Sequence, residues 1–148
     1  VMKAHWKSNV VFYSIVVFYT VITFWLLWPY DPITINSIDI MNEDNIAYVA
    51  ETLNYETDYV KKKSYPVIKV TRQLIGKDKV FILQPGEGSI PVGSHRVNVT
   101  LDIPEYVCPD VYVYQLTAEY QVNPIRTVTV TARSKPFTIR EKRLRDRI

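Results

Sequence analysis

This chain of 148 residues carries a formal net charge of +3, and 47% of its residues are hydrophobic. That apolar content excludes an intrinsically disordered chain, which cannot bury enough apolar surface to fold. The single cysteine, Cys108, excludes an intramolecular disulfide framework. The length allows one domain of ordinary size beside an anchoring segment.

The longest apolar run covers residues 10–28, which are nineteen residues without a charge. As a helix rising about 1.5 Å per residue it reaches about 28 Å, close to the thickness of a bilayer's hydrocarbon core. Nine of the nineteen residues are β-branched, and in water these favour a strand. The run is too long for a globular strand, so we predict a single transmembrane helix.

Aromatic residues flank this run on both sides, where amphipathic rings would lie at the two membrane interfaces. The predicted interface residues are Trp6, Trp25, Trp28 and Tyr30. Two alternatives are a cleaved signal peptide and a buried core helix. The run is longer than the apolar region of a signal peptide and has no small-residue cleavage pattern. It also shows no amphipathic stripe, so a retained signal-anchor is favoured.

Flanking charges predict the orientation of this anchor. Lys3 and Lys7 precede the run, whereas the thirty residues after it carry seven acids and no cation before Lys61. The positive-inside rule places residues 1–9 in the cytoplasm as a short stub. The rest of this single-pass membrane protein is then periplasmic or extracellular.

Residues 33–140 show short alternating patterns separated by turn signals, as in an all-β domain. The seven predicted strands cover residues 33–40, 52–59, 67–75, 80–83, 96–103, 112–122 and 127–140. In the first strand Ile35 and Ile38 are out of phase, which predicts a β-bulge. In the third strand Ile68, Val70 and Leu74 are expected to face inward. The spacing of the strands predicts an antiparallel β-sandwich.

The stretch Asp110-Val-Tyr-Val-Tyr114-Gln-Leu116 resembles the entry to strand F of immunoglobulin-like domains. The resemblance implies that Tyr114 is a "tyrosine corner", whose hydroxyl bonds to backbone upstream. Leu116 stands where antibody-type domains have a core cysteine, and residues 33–140 contain no tryptophan. The chain is therefore similar to the disulfide-free Ig-like or fibronectin type III sandwiches of bacterial envelope and phage proteins. The expected fold class is mainly β, with an N-terminal single transmembrane helix followed by a seven-strand antiparallel Ig-like β-sandwich.

No constellation of residues in the sequence points to enzymatic chemistry. The two histidines, His5 and His95, fall on opposite sides of the membrane in this arrangement, which does not suit a zinc site. A nucleophilic site would have to combine His95 with Ser94 or Cys108, and the sequence around them resembles no nucleophile motif. Cys108 is expected to be a small buried side chain, with a functional thiol as the alternative. We predict no catalytic residue, cofactor or metal.

Residues 141–148 form a basic C-terminal tail after the domain. The cations predicted to make electrostatic contacts there are Arg140, Lys142, Arg143, Arg145 and Arg147. Such a cluster attracts lipid headgroups or an acidic partner, and a solvated tail is the alternative. No aromatic residue is interleaved, so stacking on nucleic-acid bases is not indicated.

The anchor, the strand pattern and the lack of a catalytic constellation predict a non-enzymatic binding or assembly protein that presents an Ig-like domain outside the cytoplasm. It would be an accessory subunit of a membrane complex or a phage or viral membrane component. Its expected partners are the membrane and a protein, and we expect no small molecule. One alternative is an envelope-modifying effector, such as a phage exclusion or lysis factor acting on the host membrane. Another is a small hydrolase that uses the carboxylates of Glu105, Asp110 and Glu119.

Overall fold

The computed structural model describes residues 2–85 and 90–142, with side chains from residue 8 onward. One N-terminal apolar helix is followed by a mainly β region of two sheets. The side chain of Trp6 and the tail cations Arg143, Arg145 and Arg147 lie outside the described residues.

The helix α1 covers Met2–Leu27, so the residues expected as a separate stub continue the helix from residue 2 onward. Ser8–Leu27 is long and apolar enough to cross a membrane, although a signal sequence near the N-terminus would pass the same test. None of its most apolar stretch is buried against the protein, so the alternative of a buried core helix is wrong. The hydroxyls of Ser14 and Thr20 bond to the carbonyls four residues earlier, at 2.9 and 2.8 Å.

The first sheet has three antiparallel strands in the order β1-β3-β6. These are β1 (Ile33–Ile40), β3 (Thr52–Lys61) and β6 (Gly93–Asp102). The register of β1 against β3 shifts between Ile35 and Ser37, which confirms the predicted bulge. Because β6 pairs with β3 alone among the described strands, it is an edge strand, and its Val97 side chain is exposed.

The second sheet has the order β2-β9-β7-β4-β5, and β8 also pairs with β7. The strands are β2 (Ile46–Tyr48), β4 (Val67–Ile75), β5 (Val80–Leu83), β7 (Asp110–Asn123), β8 (Arg126–Arg133) and β9 (Phe137–Arg140). The pairing of β2 with β9 is parallel, so this sheet is not purely antiparallel as predicted. The described residues thus form nine strands where seven were predicted.

The strands β8 and β9 follow one another along the same edge of β7, as the single predicted strand 127–140 would. Gln115 of β7 pairs with Arg133, and Tyr112 pairs with Phe137. Arg133 and Phe137 are separated by three residues, whereas their partners Gln115 and Tyr112 on β7 are separated by two. One residue between β8 and β9 is therefore unpaired, as in a β-bulge. Ser134 closes the gap, because its hydroxyl accepts the Tyr114 N–H at 3.0 Å and its own N–H bonds to the Tyr114 carbonyl at 2.8 Å.

Buried side chains from both sheets pack together in two hydrophobic clusters, an arrangement compatible with a β-sandwich, and the larger cluster forms the main core. Its members include Ile38, Leu53, Tyr55 and Leu101 of the first sheet and Leu74, Leu83, Tyr112, Tyr114, Phe137 and Ile139 of the second. The prediction that Leu74 faces inward is confirmed. Ile68 is exposed, contrary to prediction, because the register of β4 slips between Val67 and Lys69 and changes the face of the intervening residue.

Substituting Leu74 by alanine should lower the free energy of unfolding by about 2–5 kcal/mol, because the side chain is fully buried and its loss leaves a cavity. The matched control is Ile82→Ala on the neighbouring strand, where the side chain is exposed and the change should stay within about 0.5 kcal/mol. Denaturant unfolding of the full chain in detergent micelles measures both. Equal losses for the two variants would contradict the assigned faces of β4 and β5.

Candidate functional site at the helix–domain junction

Hydrogen-bonded strand pairs show which end of the β region lies beside α1. Ile33 of β1 is opposite Lys61 of β3, which is opposite Gly93 of β6, and Asn123 of β7 is opposite Arg126 of β8. We call the loops around these residues the junction end: 28–32, 62–66, 90–92 and 123–126. The loops at the opposite ends of the strands are the far end: 41–51, 76–79, 103–109 and 141–142.

The turn between β7 and β8 binds the last carbonyls of α1. The Asn123 side-chain amide donates to the Leu26 carbonyl at 3.4 Å, and the Arg126 guanidinium donates to the Trp28 carbonyl at 2.8 Å. A helix end leaves carbonyls without intrahelical partners and carries partial negative charge, so these donors and the cation are favourable there. The buried Asn123 is also held by its own turn, since its amide oxygen accepts the Ile125 N–H at 3.1 Å.

Aromatic and charged side chains join the loop between β3 and β4 to the chain leaving α1. The ring of Tyr65 lies edge-on to Tyr30 at 6.1 Å, and the ammonium of Lys63 lies 5.3 Å from the centre of the Tyr65 ring. The Tyr30 hydroxyl donates to the Trp25 carbonyl at 2.9 Å. These contacts and the two from the β7–β8 turn connect the domain to α1 at several points.

The predicted interface aromatics that the structure describes all lie at this end of α1. Trp25 and Trp28 are exposed, and Trp28 packs edge-on against Phe24 at 4.7 Å between ring centres. Tyr30 is partly buried against Tyr65. The three rings therefore lie close in sequence to the point where the apolar helix meets the domain.

The residues predicted from the Ig-like motif have different roles from those expected. The Tyr114 hydroxyl lies 3.0 Å from the Tyr55 hydroxyl inside the core and does not bond to backbone upstream. The hydroxyl of Tyr112 makes that upstream bond, to the carbonyl of Cys108 at 2.7 Å. Asp110 accepts the Val111 N–H at 2.7 Å, and Leu116 is partly buried against the core.

Burial raises the pKa of several tyrosines in the core. The pKa of Tyr114 is raised mainly by desolvation, and further by the charge of Tyr55 and by the hydrogen bond with it. The charge of Arg72 acts in the opposite direction and lowers this pKa. Desolvation also raises the pKa of Tyr59 and Tyr120. Among the described residues, two buried polar atoms have no hydrogen-bond partner: the Tyr59 hydroxyl and Nε of Arg72. The hydrogen-bonding capacity of these two buried atoms is therefore unmet within the described residues.

The residues considered for nucleophilic chemistry are not brought together. Ser94 and His95 begin β6 at the junction end, and the His95 ring bonds to the Val92 carbonyl at 3.0 Å. Cys108 lies in a far-end loop and is exposed, so the expectation of a buried cysteine is wrong. Cys108 lies just before the start of β7. Its carbonyl accepts the hydrogen bond from the Tyr112 hydroxyl, and its side chain is exposed. Within the described residues, no group of three or more His, Cys, Asp or Glu side chains lies close enough to hold a metal ion.

The described part of the basic tail lies at the far end. The Arg140 carbonyl accepts the Val49 N–H at 3.0 Å, and the Lys142 ammonium pairs with Glu51 at 2.6 Å. One of the predicted contact cations is therefore already bound to an acid of the same chain.

A patch of apolar side chains lies on the outer face of the second sheet near the far end. Leu74 and its partners Phe81 and Tyr114 face the core, so the next row, Ile75 with Val80 and Val113, faces outward. We define the far-end patch as Ile75, Val80, Ile82, Tyr106, Val111 and Val113. Four of these six side chains are exposed: Val80, Ile82, Tyr106 and Val111. Tyr106 joins the patch through its hydroxyl, which donates to the Ile82 carbonyl at 3.3 Å.

Nothing in the sequence around the β7–β8 turn indicates its contact with the helix. The two bonds join residues 97 and 98 positions apart, and such a separation leaves no local pattern. The far-end patch had a weak signal, since β5 has four apolar residues in succession where a strand with one wet face alternates.

Replacing Tyr55 or Tyr114 singly by phenylalanine should each lower the free energy of unfolding by about 1 kcal/mol, because each leaves the other hydroxyl buried and unpaired. The double variant should lose clearly less than the sum of the two single losses, since it leaves no orphan hydroxyl. Denaturant unfolding of the four proteins measures this coupling, and Tyr106→Phe at an exposed hydroxyl is the control. Additive losses would show that the two hydroxyls do not interact.

Comparison with known proteins adds no relative to these observations. The chain matches no protein-family model, and no curated protein shows significant similarity to it. A function for this protein is therefore argued from its helix, its strand order and its surfaces.

Proposed function

We propose that this is a non-enzymatic, single-span membrane protein that presents an Ig-like domain outside the cytoplasm, for binding or assembly with a protein partner. The observation that carries the proposal is the bonded junction between α1 and the domain. An exposed apolar helix of this length needs a nonaqueous surrounding. Asn123 and Arg126 bind its last carbonyls, so whatever the domain binds is held close to the membrane.

The strand order supports the Ig-like part of the proposal. The order β1-β3-β6 corresponds to strands A, B and E of an Ig-like sandwich, and β5-β4-β7-β8 corresponds to C′, C, F and G. The bond from Tyr112 to the Cys108 carbonyl is the tyrosine-corner contact, placed two residues before the expected tyrosine. In this proposal β7 corresponds to strand F.

The far-end patch is the surface that we assign to the protein partner. It lies away from α1, so the membrane does not cover it. Soluble surfaces rarely carry contiguous apolar patches, and those that exist commonly mark interaction sites. The patch includes the edge strand β5, whose Ile82 carbonyl already accepts the Tyr106 hydroxyl, so we assign recognition to the exposed apolar side chains of the patch.

The chain's single cysteine tests the side of the membrane. In intact cells, a membrane-impermeant maleimide should label Cys108, which is exposed in a far-end loop. A matched variant, Cys108→Ser with Ala4→Cys, should be labelled only after the membrane is permeabilised, because residue 4 lies on the other side of the span. The reverse pattern would contradict the orientation, and removal of residue 4 from the mature protein would contradict the anchor.

A photo-crosslinking amino acid at Ile82 should form an adduct of higher mass in the native membrane, because this position lies in the far-end patch. The control is the same amino acid at Thr129, which is exposed on β8 of the same sheet outside the patch. Gel mobility and mass spectrometry identify the adducts. A protein that forms none from Ile82, or equal amounts from both positions, and that is monomeric by native mass measurement, would not be a binding protein of this kind.

A further inference from the structure

The junction end carries positive charge, although the chain that leaves α1 is acidic in sequence. Its described loops contain three cations, Lys62, Lys63 and Arg126, and one acid, Asp31. The far-end loops contain six acids and three cations. Charge is therefore separated along the domain, with the positive end beside the apolar helix.

The structure holds these cations at the level of the last turn of α1. Arg126 bonds to the Trp28 carbonyl, and Lys63 lies over the Tyr65 ring, which contacts Tyr30. Ser8–Leu27 matches the thickness of the hydrocarbon core, so residues just beyond Leu27 lie in the headgroup layer when α1 spans a bilayer. The junction end then faces lipid phosphates.

The charge of this end is only partly compensated within the protein. Lys62 pairs with Asp31 at 3.7 Å, and both side chains are largely exposed. Such a pair is weak in water and leaves the ammonium accessible to other anions. Lys63 contacts an aromatic face and no acid among the described residues, and an aromatic face does not neutralise its charge.

Exposed apolar side chains accompany the cations. Ile125, at the tip of the β7–β8 turn, is 75% exposed, and Val92, in the loop before β6 at the same end of the domain, is exposed as well. Apolar side chains beside lysine and arginine are typical of surfaces that lie in a membrane interface. In a domain facing only water this arrangement would leave Ile125 with no contact to cover it.

We propose that the junction end is a binding surface for anionic phospholipid headgroups, with Lys62, Lys63 and Arg126 against the phosphates. This inference rests on the proposed function, because it requires that α1 spans the bilayer. Lipid is the occupant because the bonds from Asn123 and Arg126 to α1 bring this surface to the membrane itself. Each lysine near an anionic membrane surface contributes to the attraction, which is screened by salt.

The test uses the full chain in vesicles, with Cys108→Ser and a fluorophore at Ser64→Cys in the loop between Lys63 and Tyr65. The vesicles are phosphatidylcholine with a trace of headgroup spin-labelled phosphatidylglycerol or, separately, spin-labelled phosphatidylcholine. The ratio of the two quenching efficiencies reports local enrichment of the anionic lipid, because the distance of the loop from the membrane affects both equally. We expect a ratio well above one that falls as salt is added.

Charge-removing variants identify the cause of the enrichment. Lys62→Gln with Lys63→Gln should lower the enrichment by up to about fivefold per lysine. Lys77→Gln with Lys79→Gln removes the same charge at the far end and should leave the ratio unchanged. A ratio near one in the unsubstituted chain, or equal effects of the two pairs, would overturn the proposal.

Flotation of the chain with the vesicles after alkaline extraction separates this proposal from the proposed function. A chain that does not float has no span, and the proposed function fails. A chain that floats with a quenching ratio near one keeps its anchor, and only the lipid surface is lost.

Discussion

Hydrogen bonding along β7 connects the sheet, the core and the helix. The strand pairs with β4 along one edge and with β8 and β9 along the other. It buries the rings of Tyr112, Tyr114 and Tyr120 on one face. It ends at Asn123, whose amide reaches the Leu26 carbonyl. Burying a hydroxyl without a hydrogen-bond partner costs free energy. The bonds of the Tyr112 and Tyr114 hydroxyls therefore favour one position of β7 relative to its neighbours.

Strand alternation predicted much of this fold, because a strand with one wet face repeats every two residues. Leu53, Tyr55 and Tyr59 are buried as their pattern indicated. The same two-residue period could not predict which hydrogen bond Tyr112 and Tyr114 make, since both side chains face inward. The position of Tyr55 on the other sheet decides which of the two hydroxyls bonds within the core. The bulge that exposes Ile68 and the short parallel strand β2 also depend on distant partners.

The junction was beyond prediction for a related reason. In sequence, the residues after α1 are acidic. In space, Arg126 bonds to the Trp28 carbonyl and Lys62 pairs with Asp31 of the same segment. The charges along the sequence and the charges on the folded surface act at different stages. Orientation during membrane insertion depends on the charged residues near the ends of an apolar helix. The folded surface depends on what the strands bring together. A chain with an acidic exit can therefore still present a basic face to the membrane.

The bonds from Asn123 and Arg126 to α1 also set an order of events during synthesis. Residues 97 and 98 positions apart must meet, so the helix is complete long before its final donors exist. At translation rates of about 5–20 residues per second this interval is roughly 5–20 s. During that time the carbonyls of Leu26 and Trp28 have only water or lipid headgroups as partners. In a nascent chain halted before the β7–β8 turn, the end of α1 would thus lack these two donors.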